Sequence, residues 1–226
     1  MIYEFTRTEF EFIKAFCGMP DAEDLGVPVD PDVMNDPEAV VSSLTERGCL
    51  TEDPEGGYFL PEELTFFMMV IGQAVSSASV VRADKSMNIF FKGDSIVVAL
   101  RENEKYQIMW IPFMHLLVGA VSSFMAPFIN EESGDVPGLG SGTADELRGR
   151  ILERGFTEES SVSFFASHEA LSDKAVSVFS DGKKQLMLEV SGDRTNCTAP
   201  DKSDMVNALT RVLADMHASA IREVLE

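Results

Sequence analysis

Between Ala78 and Phe128 the chain contains the sequence SVVRADKSMNIFFKGDSIVVALRENEKYQIMWIP, followed by FMHLLVGAVSSFM. The first part consists of four strand-like runs, which are separated by Asp-Lys-Ser, Lys-Gly-Asp and Glu-Asn-Glu-Lys. Runs of this kind with such breaks are typical of antiparallel strands joined by hairpins. This stretch therefore predicts a four-strand meander that is closed by a helix.

A second, weaker copy of this unit lies near the C-terminus, where SVSFFASH, KAVSVFSDG, KQLMLEVSGD and RTNCTAP again form four runs. Gly93 and Asp181 each lie in a central turn, and Pro112 and Pro200 each precede a helix. The two members of each pair are separated by the same number of residues in the sequence. A four-strand sheet with one helix needs a partner to cover a face. We therefore predict an α+β fold of two quasi-repeated units, each an antiparallel four-strand meander plus helices, related by a pseudo-twofold axis.

The segment before the first meander predicts two helices and a small hairpin. The first helix runs over Thr6–Phe16, with Thr8 and Glu11 as a capping box, and the second begins at Pro37 with Asp36 as its cap. The hairpin follows in CLTEDPEGGYFLP. This order is typical of winged-helix domains, so the N-terminal part is predicted to be winged-helix-like.

Residues 130–142 read NEESGDVPGLGSG, a Gly-, Pro- and acid-rich segment without periodicity that predicts a linker. We expect an N-terminal half over residues 1–129 and a C-terminal half over residues 143–226. The latter begins with a helix that is capped by Thr143 and Glu146.

The charge balance limits the classes of partner. The chain has 38 acidic and 18 basic residues, a formal net charge of -20. This excess repels phosphate and anionic lipid, so we expect no nucleic-acid partner and no membrane insertion. A winged-helix transcription regulator with a sensing domain stays the alternative, although the candidate recognition helix PEAVVSSLTERG carries a single arginine.

The sequence contains no recognisable catalytic, cofactor or metal site. His115, His168 and His217 stand alone, without the spacing of a metal site, and we expect His115 to be a core residue. There is no G-x-S-x-G motif, and GLGSG is neither preceded by a strand nor followed by Gly-Lys-Ser/Thr. We therefore expect a protein that is not an enzyme and that needs no cofactor.

Three stretches carry a resemblance to a known family: EFTRTEFEFIKAF, SSLTERGCL followed by YFLPEEL, and RADKSMNIFFKGDSIVVALRENEKYQIMWIP. With these stretches and its order of elements, the chain resembles the EspG-type chaperones of type VII secretion systems, also called ESX secretion-associated proteins. The resemblance implies a cytoplasmic, non-enzymatic protein with two quasi-symmetric halves. It also implies that the protein holds the helical tip of a secreted client before export.

Apolar alternation selects a first candidate surface for a helical client. An apolar groove or face on an acidic protein can receive the apolar side of a helix. The predicted surface is the outer face of the first meander and part of the last helix, with Met87, Ile89, Phe91, Lys92, Met205 and Met216. The alternative, which is favoured, is that these residues pack the interface between the two halves.

Three other apolar residues have two interpretations each. Trp110 is either a hot spot for a partner or a ring buried at the corner between strand and helix, and burial is favoured. Met68 and Met69 either line an adaptable groove or belong to the core, and the core is favoured.

Edge strands that pair between chains would also allow a homodimer.

Overall fold

The computed structural model describes residues 2–19, 36–83, 85–126, 139–166 and 174–225, with the side chains of 163–166 and 223–225 excepted. The strands are β1 (Ile2–Thr6), β2 (Thr51–Glu52), β3 (Tyr58–Phe59), β4 (Ser76–Arg82), β5 (Lys85–Lys92), β6 (Ser95–Glu102), β7 (Lys105–Trp110), β8 (Thr157–Ala166), β9 (Lys174–Ser180), β10 (Gln185–Ser191) and β11 (Arg194–Thr198). The helices are α1 (Arg7–Phe16), α2 (Pro37–Glu46), α3 (Glu62–Gly72), α4 (Met114–Met125), α5 (Ala144–Glu153) and α6 (Lys202–Leu225).

The two predicted meanders form one antiparallel sheet. Its strand order is β1-β7-β6-β5-β4-β8-β9-β10-β11, so each meander is continuous and the two join where β4 pairs with β8. Val80 faces Val162 across this central pair. The α+β class and the two meanders are confirmed, whereas the pseudo-twofold axis stays a prediction.

The first strand of the sheet was not expected from the sequence. Residues Ile2–Thr6 form β1, which pairs with β7 at the edge of the sheet, and α1 starts directly after it. Thr6 therefore caps α1: its hydroxyl accepts the Glu9 N–H at 3.3 Å and its own N–H donates to the Glu9 carboxylate at 2.7 Å. The predicted Thr8–Glu11 box is wrong because the extended chain ends two residues earlier.

Helices cover both faces of the sheet. One face packs on α4 and α6, and this core includes Val80, Ile89 and Val162. The other face is covered by α1 and α3 over β5–β7, and by α5 over β9 and β10. Strand β6 is buried on both sides, as its unbroken apolar run predicts.

A buried polar contact fastens α2 to α1. The Glu9 carboxylate accepts a hydrogen bond from the Ser43 hydroxyl at 2.7 Å and forms an ion pair with Arg47 at 3.0 Å. Arg47 also donates to the main-chain carbonyl of Glu4 at 3.0 Å and lies over the Phe5 ring. Because α2 leads directly into the β2–β3 hairpin, this contact helps to fix the hairpin's position.

Other local predictions have mixed outcomes. Asp36 caps α2, and Thr143 with Glu146 forms the predicted capping box of α5. Of the predicted linker at residues 130–142, only 139–142 fall within the described residues, and there the Leu139 carbonyl accepts a hydrogen bond from Arg150 at 2.8 Å. The division into two halves stays a prediction. Position 168, which holds the second histidine, lies outside the described residues.

Candidate partner-binding surface

A groove of about 560 Å³ opens between the C-terminal ends of α1 and α3 and the β2–β3 hairpin. It is called the apolar groove below, and its apolar lining consists mainly of Phe16, Met19, Tyr58, Phe59, Met68 and Met69. No residue among those described as lining it carries a formal charge. In a chain with 25% charged residues, an uncharged groove of this size is a distinct surface.

Four large side chains at the apolar groove are exposed to solvent. Phe16 is 43%, Tyr58 40%, Phe59 49% and Met69 40% exposed. Full burial of a side chain of this size contributes about 1.5–3 kcal/mol, so the folded chain leaves a large part of this stabilisation unused. Exposed apolar side chains that border one groove make it the candidate site of interaction.

The sequence of α3 explains why its apolar residues reach the surface. After Glu63 the helix reads LTFFMMVIG, which is apolar around most of its circumference. Leu64, Phe67 and Met68 are buried in the core that α3 shares with α1 and the sheet. Met69 lies on the remaining outward face. A helix that is apolar all round is normally buried on all sides, whereas the outward side of α3 is not covered by any of the described elements.

The floor of the apolar groove can adapt its shape. Met19 lies against Gly72: a Cβ atom added to Gly72 would be 3.5 Å from the Met19 Cγ. Met68 and Met69 contribute two more thioethers, whose flexible chains repack around differently shaped partners. The sequence left open whether these two methionines line a groove or fill the core. Met68 is buried and Met69 is exposed, and both border the groove.

The β2–β3 hairpin forms one wall of the apolar groove. Its ladder contains only the pairs Thr51–Phe59 and Glu52–Tyr58, and its turn is closed by the Asp53 N–H, which donates to the Gly57 carbonyl at 2.7 Å. A ladder of two pairs has little stability of its own. The buried residues Leu50 and Leu60, which flank the hairpin, anchor it to the core.

A second depression borders the same hairpin. This acidic cleft has a volume of about 650 Å³ and is bordered by α2 and the hairpin. Its lining includes Glu38, Glu46, Glu52 and Val41, together with Tyr58, which also lines the apolar groove. The hairpin thus contributes residues both to an uncharged groove and to a negatively charged cleft.

The residues that were predicted to contact a partner lie elsewhere. Five of them are at most 6% exposed and pack in the core between the sheet, α4 and α6: Met87, Ile89, Phe91, Met205 and Met216. The expectation that they form an exposed face is wrong, because α4 and α6 cover this side of the sheet. Lys92 alone is partly exposed, and its ammonium group donates a hydrogen bond to Gln73, a residue of the apolar groove.

Trp110 lies at the surface, contrary to the favoured interpretation. Its ring is 47% exposed, and Phe113 and Leu116 at the start of α4 are also exposed. β1 begins at Ile2, which pairs with Met109, the residue before Trp110. His115 is exposed as well and stacks on Phe113 with 5.6 Å between ring centroids, so the expected core position is wrong.

The described residues show no arrangement typical of a metal site or a membrane span. They contain no group of three or more His, Cys, Asp or Glu side chains that could hold a metal ion. None of the described helices has the length and apolar character needed to cross a membrane.

No protein-family model matches the chain, and no curated protein matches it. The fold does match a solved structure, that of the Mycobacterium tuberculosis type VII secretion system chaperone EspG5 in complex with the PE25-PPE41 dimer. The TM-score is 0.66, with 10% sequence identity, and the match covers 96% of both chains. The chain has the fold of EspG5. At this identity the likeness shows the fold and leaves the surface chemistry to be argued from the residues themselves.

Proposed function

We propose that this protein is a cytoplasmic chaperone of a type VII-like secretion system. It binds an apolar helical segment of a secreted client in the apolar groove and keeps that client soluble before export. The observation that carries the proposal is the groove itself, an uncharged surface with exposed aromatic and methionine side chains on an otherwise acidic chain. The EspG5 fold supports the proposal, because EspG5 was solved as a chaperone bound to the PE25-PPE41 dimer.

The chemistry of the side chains that line the apolar groove suits an amphipathic helix. Amphipathic helices bind proteins by placing apolar side chains from successive turns into a hydrophobic groove. Phe16 and Phe59 supply rigid rings for such contacts, whereas Met69 can adjust to the shape of the partner. Burial of these exposed side chains under a client would recover stabilisation that the free chain lacks.

The proposal includes no catalytic step, no cofactor and no nucleic-acid contact. The winged-helix regulator named above as the alternative would need basic side chains on α2 and the hairpin to reach phosphates. In this chain the cleft between α2 and the hairpin presents Glu38, Glu46 and Glu52 instead. We also propose that the two halves are related by a pseudo-twofold axis. The order of the eight meander strands about β4 and β8 supports this, with β1 as an additional strand at one edge.

Site-specific photo-crosslinking in the native host tests this function. A photoreactive phenylalanine analogue at Phe59 should crosslink to a secreted protein with a helical apolar segment. The same analogue at Val81, which is 46% exposed but does not line the apolar groove, is the matched control. The proposal is contradicted if both positions give the same products, or if Phe59 crosslinks to no secreted protein.

A further inference from the structure

The hairpin and α2 carry an unusual concentration of negative charge. Residues 36–63 contain eight acidic side chains and a single basic one, Arg47. Arg47 is already engaged in its ion pair with Glu9 at 3.0 Å, so it does not neutralise the cleft. This segment borders both the acidic cleft and the apolar groove.

Some acidic side chains of this protein are paired with a basic one, whereas those that line the acidic cleft are not paired within the described residues. Glu102 forms an ion pair with Lys85, and Glu189 forms one with Arg211. Within the described residues, Glu38, Glu46 and Glu52 form no ion pair with a basic side chain, and no Lys or Arg lines their cleft. Carboxylates that face a shared concave surface without counter-charges create a negative potential that attracts cations.

The two depressions are close enough for one helix to occupy both. The strands of a β-hairpin lie about 4.8 Å apart, whereas a helix with its side chains is about 10–12 Å wide. Tyr58 lines both depressions, so the two adjoin at this residue. A helix over the hairpin would place one side in the apolar groove and its flank above the acidic cleft.

We infer that the client segment is an amphipathic helix with Lys or Arg along one flank, and that the acidic cleft selects it by charge. This inference rests on the proposed function, since it names the chemistry of the client that enters the apolar groove. The apolar side chains of the helix fill the groove, and its basic flank lies over Glu38, Glu46 and Glu52. Exposed charges of this kind act mainly by accelerating association and by rejecting acidic partners.

Two synthetic helical peptides test the inference with the full chain. Both have about 18 residues, or roughly five turns, and the same apolar face. One carries Lys and Arg along the flank and the other carries Glu at the same positions. We expect the basic peptide to bind about tenfold more tightly at low ionic strength, because several exposed charge pairs each contribute a small factor. The difference should shrink in about 1 M salt, where the Debye length is only about 3 Å.

Matched variants assign this preference to the acidic cleft. The triple variant Glu38→Gln, Glu46→Gln, Glu52→Gln should bind both peptides equally. A control triple variant, Glu104→Gln, Glu153→Gln, Asp193→Asn, removes the same number of exposed charges elsewhere and should keep the preference. The inference is overturned if the wild-type chain binds neither peptide, if it binds both equally, or if the cleft variant keeps the preference.

The apolar groove is tested separately by the variant Phe59→Ser. We expect this variant to bind both peptides more weakly by the same factor and to keep the preference for the basic peptide. If binding is lost in Phe59→Ser but the wild type shows no preference for charge, the groove function stands and the charge inference fails. If Phe59→Ser binds both peptides as tightly as the wild type, the peptides do not use the groove and the proposed function fails at this site.

Discussion

Replacing Glu9 by alanine removes the buried acceptor that joins α1 to α2. In the folded chain this carboxylate accepts the Thr6 N–H at 2.7 Å and the Ser43 hydroxyl at 2.7 Å, and it pairs with Arg47 at 3.0 Å. Truncation removes the shared acceptor of these three donors from a position where Glu9 itself is only 5% exposed, although Thr6 and Arg47 are exposed and can contact water.

The size of the effect follows from these contacts. Hydrogen bonds to a charged group contribute about 1.5–3 kcal/mol each, and the three contacts of Glu9 share one carboxylate, so they do not add fully. We expect the Glu9→Ala variant to lose about 3 kcal/mol of unfolding free energy. For a chain of this size, that loss lowers the Tm by roughly 6–12 °C. Glu38→Ala, which removes an exposed carboxylate, is the control and should change the Tm by less than about 2 °C.

The same contact makes stability depend on pH. Burial pushes the pKa of Glu9 upward, but the donors from Thr6, Ser43 and Arg47 outweigh burial and hold this pKa below its ordinary value. A carboxyl group with a lowered folded-state pKa stabilises fully above its unfolded pKa of about 4.3 and loses this contribution as the pH falls through the folded value. The Tm difference between wild type and Glu9→Ala should therefore be constant near neutral pH and shrink at acidic pH.

Thermal unfolding followed by circular dichroism from neutral to acidic pH measures both effects. The account of Glu9 is refuted if Glu9→Ala unfolds within about 2 °C of the wild type at neutral pH, since an exposed substitution does no more. It is also refuted if the Tm difference grows as the pH falls, since that would mean that the pKa of Glu9 is raised in the folded chain.

Other substitutions test other parts of the structure. Phe67→Ala should cost about 3–5 kcal/mol in urea unfolding, because Phe67 is only 1% exposed in the core that α1 and α3 form with the sheet. Gly48→Ala should cost about 1 kcal/mol in the same assay, because Gly48 has a φ of +69° and an added Cβ would meet no atom within 4 Å, so the cost lies in the backbone alone. Trp110 is the single tryptophan, so acrylamide should quench the intrinsic fluorescence readily; a strongly protected emission would contradict the exposed ring.

The sequence was sufficient to predict the meanders because hairpin turns and strand runs are local signals. Lys-Gly-Asp and Glu-Asn-Glu-Lys mark the turns after β5 and β6. The pairing of β4 with β8 is not local, since five other described elements of the fold lie between the two strands in the chain. Nothing in either strand specifies this partner, which is why the sequence left open whether the two meanders form one sheet.

Strand β1 was missed for a related reason. Its five residues, IYEFT, merge without a break into the helical run that follows, so the whole segment looks like the start of a helix. The edge of the sheet at β7 provides the pairing that turns Ile2–Thr6 into a strand. A tertiary contact of this kind overrides local preference.

Exposure was the least predictable property. The alternation of Met87, Ile89 and Phe91 predicts that they share one face of a strand, and they do, but whether helices cover that face depends on the whole fold. Met69 and Trp110 are apolar in sequence and exposed in the structure. A residue type favours burial on average, whereas the surface that a partner will cover appears only when all elements are assembled.

Client solubility in the native host tests the central claim most directly. The strain that lacks this chain is complemented with the wild type, with a double groove variant, or with a double control variant. The groove variant carries both Phe59→Ser and Met69→Lys. The control carries both Val81→Ser and Leu152→Lys, at residues that are similarly exposed but lie outside the apolar groove. The secreted protein that crosslinks at Phe59 is then quantified in the soluble and insoluble cell fractions. We predict that it is soluble with the wild type and the control and insoluble with the groove variant. A client that stays soluble with the groove variant, at equal levels of folded chaperone, would contradict the account.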